Sequence, residues 1–327
     1  PHITKQFSST RYMRNLHLYV ILAGLFVVGP RFVNLLYAQA DEEVVSVMSY
    51  NIHRGGVVML KQPLSQTAKV IRSAKADIVG IQETRSPRGD KLVELAKLLG
   101  WNHDMGNGSN ILTRYKIVKS LVNGIKVELD SGREAYVFNL HLPSHPYQPY
   151  QLLGIRPKWH KHKFDIEFIK TETEAIKWAK KARGREVTKL LRNIRSISDK
   201  QASVFVVGDF NEPSHLDWTA RAAKAGRHPI KVEYPHSLAM TKAGFADAYR
   251  TIYSNEMENP GYTWSSFYKF DDPTTHHDRI DFVYFKGKGI RLNEVKIVGE
   301  TRKDADIVIS PYPSDHRAVV ADFRLTK

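Results

Sequence analysis

Six short apolar runs in this chain each end or begin in side chains of the few types that handle phosphoesters. Asn51 closes Met48-Ser49-Tyr50-Asn51, Glu83 follows Ile81-Gln82, and His141 closes Asn139-Leu140-His141. Asp209 and Asn211 lie in Gly208-Asp209-Phe210-Asn211, Asp281 in Arg279-Ile280-Asp281-Phe282, and Asp315-His316 precede Arg317-Ala318. One polar residue at a strand end is an ordinary cap or turn former. Asn, Glu, Asp and His recurring at successive ends are not explained by turns. A phosphodiester repels hydroxide, so a divalent cation is needed to neutralise its charge. A carboxylate such as Glu83 can hold Mg²⁺ in a water-rich shell. A His backed by an Asp is a common way to activate water. Asn amides and an imidazolium can stabilise the charge that grows on the equatorial oxygens. No Gly-rich nucleotide loop and no G-x-S-x-G elbow competes with this set.

Composition narrows the metal. Among 327 residues there is no Cys, which removes disulfides, thiolate nucleophiles and Cys-ligated zinc. A catalytic ion must then sit on oxygen or imidazole ligands, which favours Mg²⁺, Mn²⁺ or Ca²⁺. With 42% hydrophobic and 25% charged residues, the chain is not a disordered, collagen-like or polytopic membrane protein.

The elements that must position these residues are legible as an alternation. β-branched apolar runs fall at residues 44–52, 77–82, 111–118, 135–142, 203–210, 280–285, 295–298 and 318–325. Most look like short strands covered on both faces. Between them Leu92, Leu95, Ala96 and Leu99 share one helical face, and Val187, Leu190, Leu191, Ile194 and Ile197 form another apolar stripe. That alternation indicates a layered α/β domain. No repeat or Gly/Ser linker follows residue 40, so residues 41–327 read as one domain.

Residues 143–170 break the rhythm with four prolines and the cluster Trp159-His160-Lys161-His162-Lys163. His160 and His162 are the ligand type, yet paired histidines in a Lys-rich stretch are more often simply solvated. The net charge of +15 is uneven: residues 156–200 hold 14 Lys/Arg against 6 Asp/Glu. This basic insert, around 143–200, is either a solvated helix face or a grip on phosphate backbones or an anionic membrane surface. Lys180, Lys181, Arg183 and Arg185 are its candidate substrate-binding residues.

Residues 1–40 read as a targeting segment. Basic Met13-Arg14 precedes an apolar run at 16–28, and Ala38-Gln39-Ala40 fits signal-peptidase cleavage. The expectation is a cleaved signal peptide and export, to a periplasm or outside the cell. The alternative is an uncleaved anchor that tethers the chain to a membrane.

The ordered set of motifs from residue 44 to 325 resembles the endonuclease/exonuclease/phosphatase superfamily, the deoxyribonuclease I-like enzymes, and in particular its exported bacterial members. The resemblance implies a four-layer α/β sandwich, with two mixed β-sheets face to face and helices outside. It implies Glu83 as principal metal ligand with Asn51 beside it, and Asp315 completing the metal or phosphate site. Asp209 would orient or deprotonate the attacking water, Asn211 would help bind phosphate, and Asp281 would hold the His316 imidazole. His141 stands where deoxyribonuclease I and the sphingomyelinases carry a phosphate-contacting His. His53 replaces a second acidic ligand found in abasic-site endonucleases. Gln82 is expected to partner backbone, and the aromatics of Gly261-Tyr262-Thr263-Trp264 are expected to pack.

The resulting expectation is a Mg²⁺- or Mn²⁺-dependent phosphoester hydrolase, a monomer, whose substrate is a phosphodiester in nucleic acid or a similar polyanion. A sphingomyelinase- or phosphoinositide-type lipid phosphoesterase is the alternative. A non-catalytic binding protein on the same fold is the alternative of another class, against which the intact site argues.

Overall fold

A computed structural model describes residues 42–326 apart from 58–59, 88 and 158–166. The targeting segment and His160 and His162 therefore lie outside the described residues. Among those described, no helix is long and apolar enough to cross a membrane.

The chain runs through β1 (Glu43–Asn51), α1 (Leu64–Ser73), β2 (Ile78–Gln82), a small hairpin of β3 (Arg85–Ser86) and β4 (Gly89–Asp90), and α2 (Leu92–Leu99). It continues with β5 (Asn102–Asp104), β6 (Ile111–Thr113), β7 (Lys116–Leu121), β8 (Gly124–Glu128), β9 (Glu134–His141) and α3 (Gln148–Leu153). The long α4 (Glu172–Arg195) leads into β10 (Ser203–Asp209), α5 (Ala220–Lys224), α6 (Pro235–Lys242), β11 (Ala246–Asp247) and α7 (Ala248–Ile252). Four strands follow: β12 (Asp281–Lys286), β13 (Ile290–Gly299), β14 (Ile307–Val308) and β15 (Ala318–Leu325).

Two mixed sheets result, ordered β14-β13-β15-β1-β2-β6-β5 and β11-β12-β10-β9-β8-β7. Alternation along each strand sends one set of side chains between the sheets and the other outward. Val45, Val47, Ile78 and Val319 of the first sheet meet Val137, Phe205, Val207 and Val283 of the second in one buried cluster. On the outer face of the first sheet, Met48, Tyr50, Val79 and Ile81 pack under α1 and α2 through Ala68, Ile71, Leu92 and Leu95. On the outer face of the second, Phe138, Val206 and Phe282 pack under α4 and α6 through Val187, Leu190 and Met240. Helix, sheet, sheet, helix is the expected four-layer sandwich.

Three departures from the sequence expectations have local causes. The run at 111–118 is two strands in different sheets, because the chain crosses the sandwich at Arg114-Tyr115. Arg114 anchors the crossing through ion pairs to Asp77 and Asp130. β8 was not anticipated, although Asn123-Gly124 is a hairpin signal and Asn123 has φ 60°. The helix expected from the stripe at 187–197 begins much earlier, at a capping box. There the Glu174 N–H donates to Thr171 Oγ1 and the Thr171 N–H donates to the Glu174 carboxylate.

The two sheets are in tight contact at Gly80. A Cβ there would lie 2.2 Å from Val207 Cγ2 and 2.8 Å from Asn139 Oδ1. Asn139 is buried between the sheets; its Nδ2 donates to the carbonyls of Ile81, Ser109 and Asn110, and its Oδ1 accepts from Gln82 Nε2 at 2.6 Å. Gln82 also donates to the Gly80 carbonyl, as a backbone partner rather than a catalyst. Asn139 cannot move without breaking this network, and Val207 is packed in the core between the sheets. Gly80→Ala should therefore destabilise the fold by about 2–3 kcal/mol, the upper range for overpacking. The check is the denaturant midpoint, at an unchanged slope.

Candidate active site

Strand register puts the polar residues in rows. His141 pairs with Asp209 across β9 and β10, and Asp209 pairs with Asp281 across β10 and β12. Directly paired residues share a face, and this is the inner face that also carries Val207 and Val283. In the opposite sheet Asn51 pairs with Gln82, which leaves Glu83 just past the end of β2. Asp315 and His316 arrive on the loop before β15. The site is therefore built across the sandwich, from both sheets.

Asn51 is fully buried and links the two rows. Its Nδ2 donates to Asp209 Oδ2 at 3.0 Å and to Glu83 Oε1 at 3.3 Å, while its Oδ1 accepts the His53 N–H. His141 Nε2 stands 3.6 Å from Asp209 Oδ2 and 4.0 Å from Glu83 Oε1, with its side chain 41% exposed. His316 is buried; its Nδ1 donates to Asp281 Oδ2 at 2.9 Å, and its Nε2 faces Asp209 Oδ2 at 3.8 Å. Two hydroxyls missed in the sequence hold this geometry. Thr263 Oγ1 accepts the N–H groups of Ile280 and Asp281, and Ser314 Oγ donates to the Asn51 carbonyl while accepting the His316 N–H. Their signal was adjacency, in Gly261-Tyr262-Thr263-Trp264 and Ser314-Asp315-His316.

Electrostatics decide the state of the pair. Burial alone favours a neutral imidazole, but the carboxylates of Asp281 and Asp209 outweigh it and hold His316 well above its ordinary value. Burial pushes the Asp281 carboxyl upward, against the pull of His316. The balance favours the charged imidazole of His316 against Asp281.

The donor set for a divalent cation lies on the other side of Asp209. Among the described residues, buried Asp315 Oδ1 has no hydrogen-bond partner and lies 3.9 Å from His53 Nδ1, which also has none. Burial raises the Asp315 carboxyl and Glu83 adds to that rise, so the two acids act on a common space. The Glu83 and Asp315 carboxylates are hard oxygen donors of the kind Mg²⁺ takes and line the same cavity, so they fit such an ion; Asn51 lies beside them with its amide nitrogen toward Glu83 and its oxygen on the His53 N–H. Glu83, Asn211 and His53 have φ of 57°, 47° and 42°. For a non-glycine residue this left-handed backbone costs about 1 kcal/mol or more. Such strain clusters where side-chain aim matters more than local stability.

The groups open into a cavity of about 700 Å³. Glu83, Asp209, Asp315 and His316 line it from below, while Tyr147, Tyr150, Trp264, Phe267 and Tyr268 supply aromatic walls. The expectation of packing holds for Tyr262, whose ring meets Phe270 and His277, and for Trp264, which packs on the Tyr147, Tyr150 and Ile280 cluster; Trp264 also lines the cavity, with its ring 4.9 Å from His316.

Two further expectations are corrected. Arg183 is fully buried and cannot grip a phosphate backbone; it donates to Gln148 Oε1 at 2.8 Å and to the Pro146 carbonyl at 2.9 Å, pinning the loop after β9. Both amide hydrogens of Asn211 are engaged, with the Leu142 carbonyl and Asp209 Oδ2, so Asn211 positions Asp209 rather than phosphate. Lys180, Lys181 and Arg185 are exposed on α4.

A four-layer sandwich with Asn, Glu, Asp and His converging at one edge of both sheets is the architecture of the deoxyribonuclease I-like class. The chain belongs to the Endonuclease/Exonuclease/phosphatase family, whose pattern matches residues 48–316 and so spans every site residue from Asn51 to His316. Uncharacterized protein F14F9.5 of Caenorhabditis elegans is 26% identical over 306 residues, 85% of this chain and 91% of that one. The fold is shared with an endonuclease/exonuclease/phosphatase from Beutenbergia cavernae, at 16% identity and a TM-score of 0.53 over 86% of this chain and 72% of that one. It is also shared with D. rerio TDP2 complexed with single strand DNA product, at 16% identity and a TM-score of 0.50 over 86% and 99%.

Proposed function

We propose that this chain is a divalent-metal-dependent phosphodiesterase acting on nucleic acid or a similar polyanion. One observation carries the reading: the His316–Asp281 pair and the Glu83–Asn51–Asp209 cluster meet at Asp209 Oδ2, on the floor of one open cavity. Asp209, held by the Asn51 and Asn211 amides, orients a water and accepts its proton. His316, kept charged by Asp281, donates to a non-bridging phosphoryl oxygen, where charge grows in the transition state. His141, partly exposed beside Asp209, contacts the phosphate from the other side. Mg²⁺ or Mn²⁺ held by Glu83 and Asp315, beside Asn51, would neutralise phosphate charge when bound.

Two features favour nucleic acid. The aromatic walls suit a substrate with flat faces, since bases stack on aromatic rings with little regard to sequence. The exposed cations of α4 suit a substrate carrying many phosphates. The proposal also takes the enzyme as an exported monomer, on the strength of the sequence.

The test is an activity panel of plasmid DNA, RNA, sphingomyelin, phosphoinositides and a bis-aryl phosphodiester, run with EDTA and with added Mg²⁺ or Mn²⁺. Metal-restored turnover of DNA or RNA is expected. Preferential cleavage of a lipid would replace the substrate assignment, and a silent panel would favour a binding protein. Reversing Lys180, Lys181 and Arg185 to Glu, with Arg183 left intact, should raise KM for a polyanion and flatten its salt dependence. Turnover of the bis-aryl diester should hardly change. Equal losses on both substrates would mean that these cations support the fold.

A further inference from the structure

His228, His276 and Asp278 form a second cluster of ligand-type side chains, and none of them lines the catalytic cavity. His228 Nδ1 and His276 Nε2 stand 3.3 Å apart, and His276 Nε2 is 3.8 Å from Asp278 Oδ1. The three ligand atoms all lie within 4.8 Å of one another. We propose that His228 Nδ1, His276 Nε2 and Asp278 Oδ1 hold a zinc-class divalent cation, with water as the fourth ligand.

The distances carry the assignment. Zinc–nitrogen bonds of about 2.0–2.1 Å in a tetrahedron place two nitrogens about 3.3–3.4 Å apart. The imidazole pair already has that spacing, and the Asp278 carboxylate lies about half an ångström outside it on the His276 side. Two imidazoles and one carboxylate suit zinc or a neighbouring transition ion better than Mg²⁺, which prefers oxygen in an octahedron.

The surroundings orient the ligands as second partners do in metal sites. Trp218 is buried; its ring stacks on His228 at 4.1 Å and 11°, and its Nε1 donates to Asp278 Oδ1 at 2.9 Å. The Tyr147 hydroxyl donates to Asp278 Oδ2 at 2.7 Å. Asp278 and His228 are buried, whereas His276 is half-buried and leaves an approach for water.

The ion would tie the segment after α5 to the loop before β12. Asp278 lies three residues ahead of Asp281 and exchanges backbone hydrogen bonds with Trp264, the residue whose ring lies against His316. Tyr147, held by Asp278, is itself a cavity wall. The ion's place is thus structural, bracing one side of the active site without touching substrate.

The experiment starts from the full chain carrying Glu83→Gln, which removes the main ligand expected at the catalytic site. The chain is stripped with EDTA and titrated with Co²⁺ and, separately, with Zn²⁺. One equivalent of Co²⁺ should bind with the intense visible absorption of four-coordinate cobalt, and Zn²⁺ should raise the melting temperature. Adding His276→Ala should weaken Co²⁺ binding at least about a hundredfold, beyond the usual cost of losing an outer partner, and abolish the zinc shift. His276→Gln, closer in size and polarity, guards against simple misfolding and should give the same loss. Equal Co²⁺ affinity with and without His276, or no four-coordinate spectrum at all, would overturn the site and leave a hydrogen-bonded histidine pair. Because metal retention is read rather than turnover, failure here and failure of the phosphodiesterase assignment are separate results.

Discussion

His316→Ala and Asp281→Asn should each lower kcat roughly a thousandfold, the scale of general acid–base and electrostatic contributions together. The double variant should be little worse than His316→Ala alone. The reason is geometric: His316 Nδ1 is engaged by Asp281 at 2.9 Å, so only Nε2 can face a substrate, and its proton depends on that carboxylate. Replacing the acid by an amide removes the charge that keeps the imidazole protonated, and replacing the imidazole leaves Asp281 nothing to orient. Groups that act as a unit give non-additive losses. Both single variants should fold, which circular dichroism checks, because Thr263 and Ser314 fix the backbone on either side independently of the pair. Multiplying losses in the double variant would show that the two residues act separately. Full activity of His316→Ala on every substrate would end the mechanism.

The strand ends were legible because their chemistry and their periodicity agree. Asn51, His141 and Asp209 each end an apolar run, so type and position are encoded locally, while the inward face, in strands buried on both sides, is set by the register between strands. What was not legible depends on a partner far along the chain. The run at 111–118 looks continuous because its residues suit a strand throughout; the break at Arg114 is imposed by Asp77 and Asp130. Lys116 and Lys119 then sit on an edge strand, where exposed lysines discourage further pairing.

Arg183 shows the opposite case, a signal present and misjudged. Ala175, Ala179, Arg183 and Val187 recur every four residues and all are buried on α4, so helical spacing places Arg183 in the apolar stripe rather than among the exposed cations. Charge composition suggested a ligand; position indicates a buried anchor. Trp264 packs as its motif suggests, but its place on the cavity wall is not written in the sequence. Its role follows from the antiparallel bridges to Asp278 and His316, which no local pattern announces. Aromatic walls recruited from 147–150 and 264–268 are a product of tertiary structure alone.

Glu83→Gln should lower kcat at least about a hundredfold while preserving the fold, because it keeps shape and removes the charge expected to hold the metal. Asn51 Nδ2 now donates to Glu83 Oε1 at 3.3 Å, and the glutamine carbonyl can accept the same hydrogen bond, so packing beneath the site need not change. The backbone at position 83, at φ 57°, is equally strained by either side chain. What changes is affinity for a hard divalent cation, which falls when a carboxylate becomes an amide. Part of the lost rate should therefore return as Mg²⁺ or Mn²⁺ is raised, whereas none should return for His316→Ala. That contrast separates a metal ligand from a proton donor without a structure of the loaded enzyme. It also follows from the sandwich itself: Glu83 comes from one sheet, the Asp281 partner of His316 from the other, and the Asn51–Asp209 hydrogen bond joins the two rows. EDTA should abolish turnover of the unaltered chain and either cation should restore it. Undiminished hydrolysis in EDTA would remove the metal from the mechanism and, with it, the role assigned to Glu83.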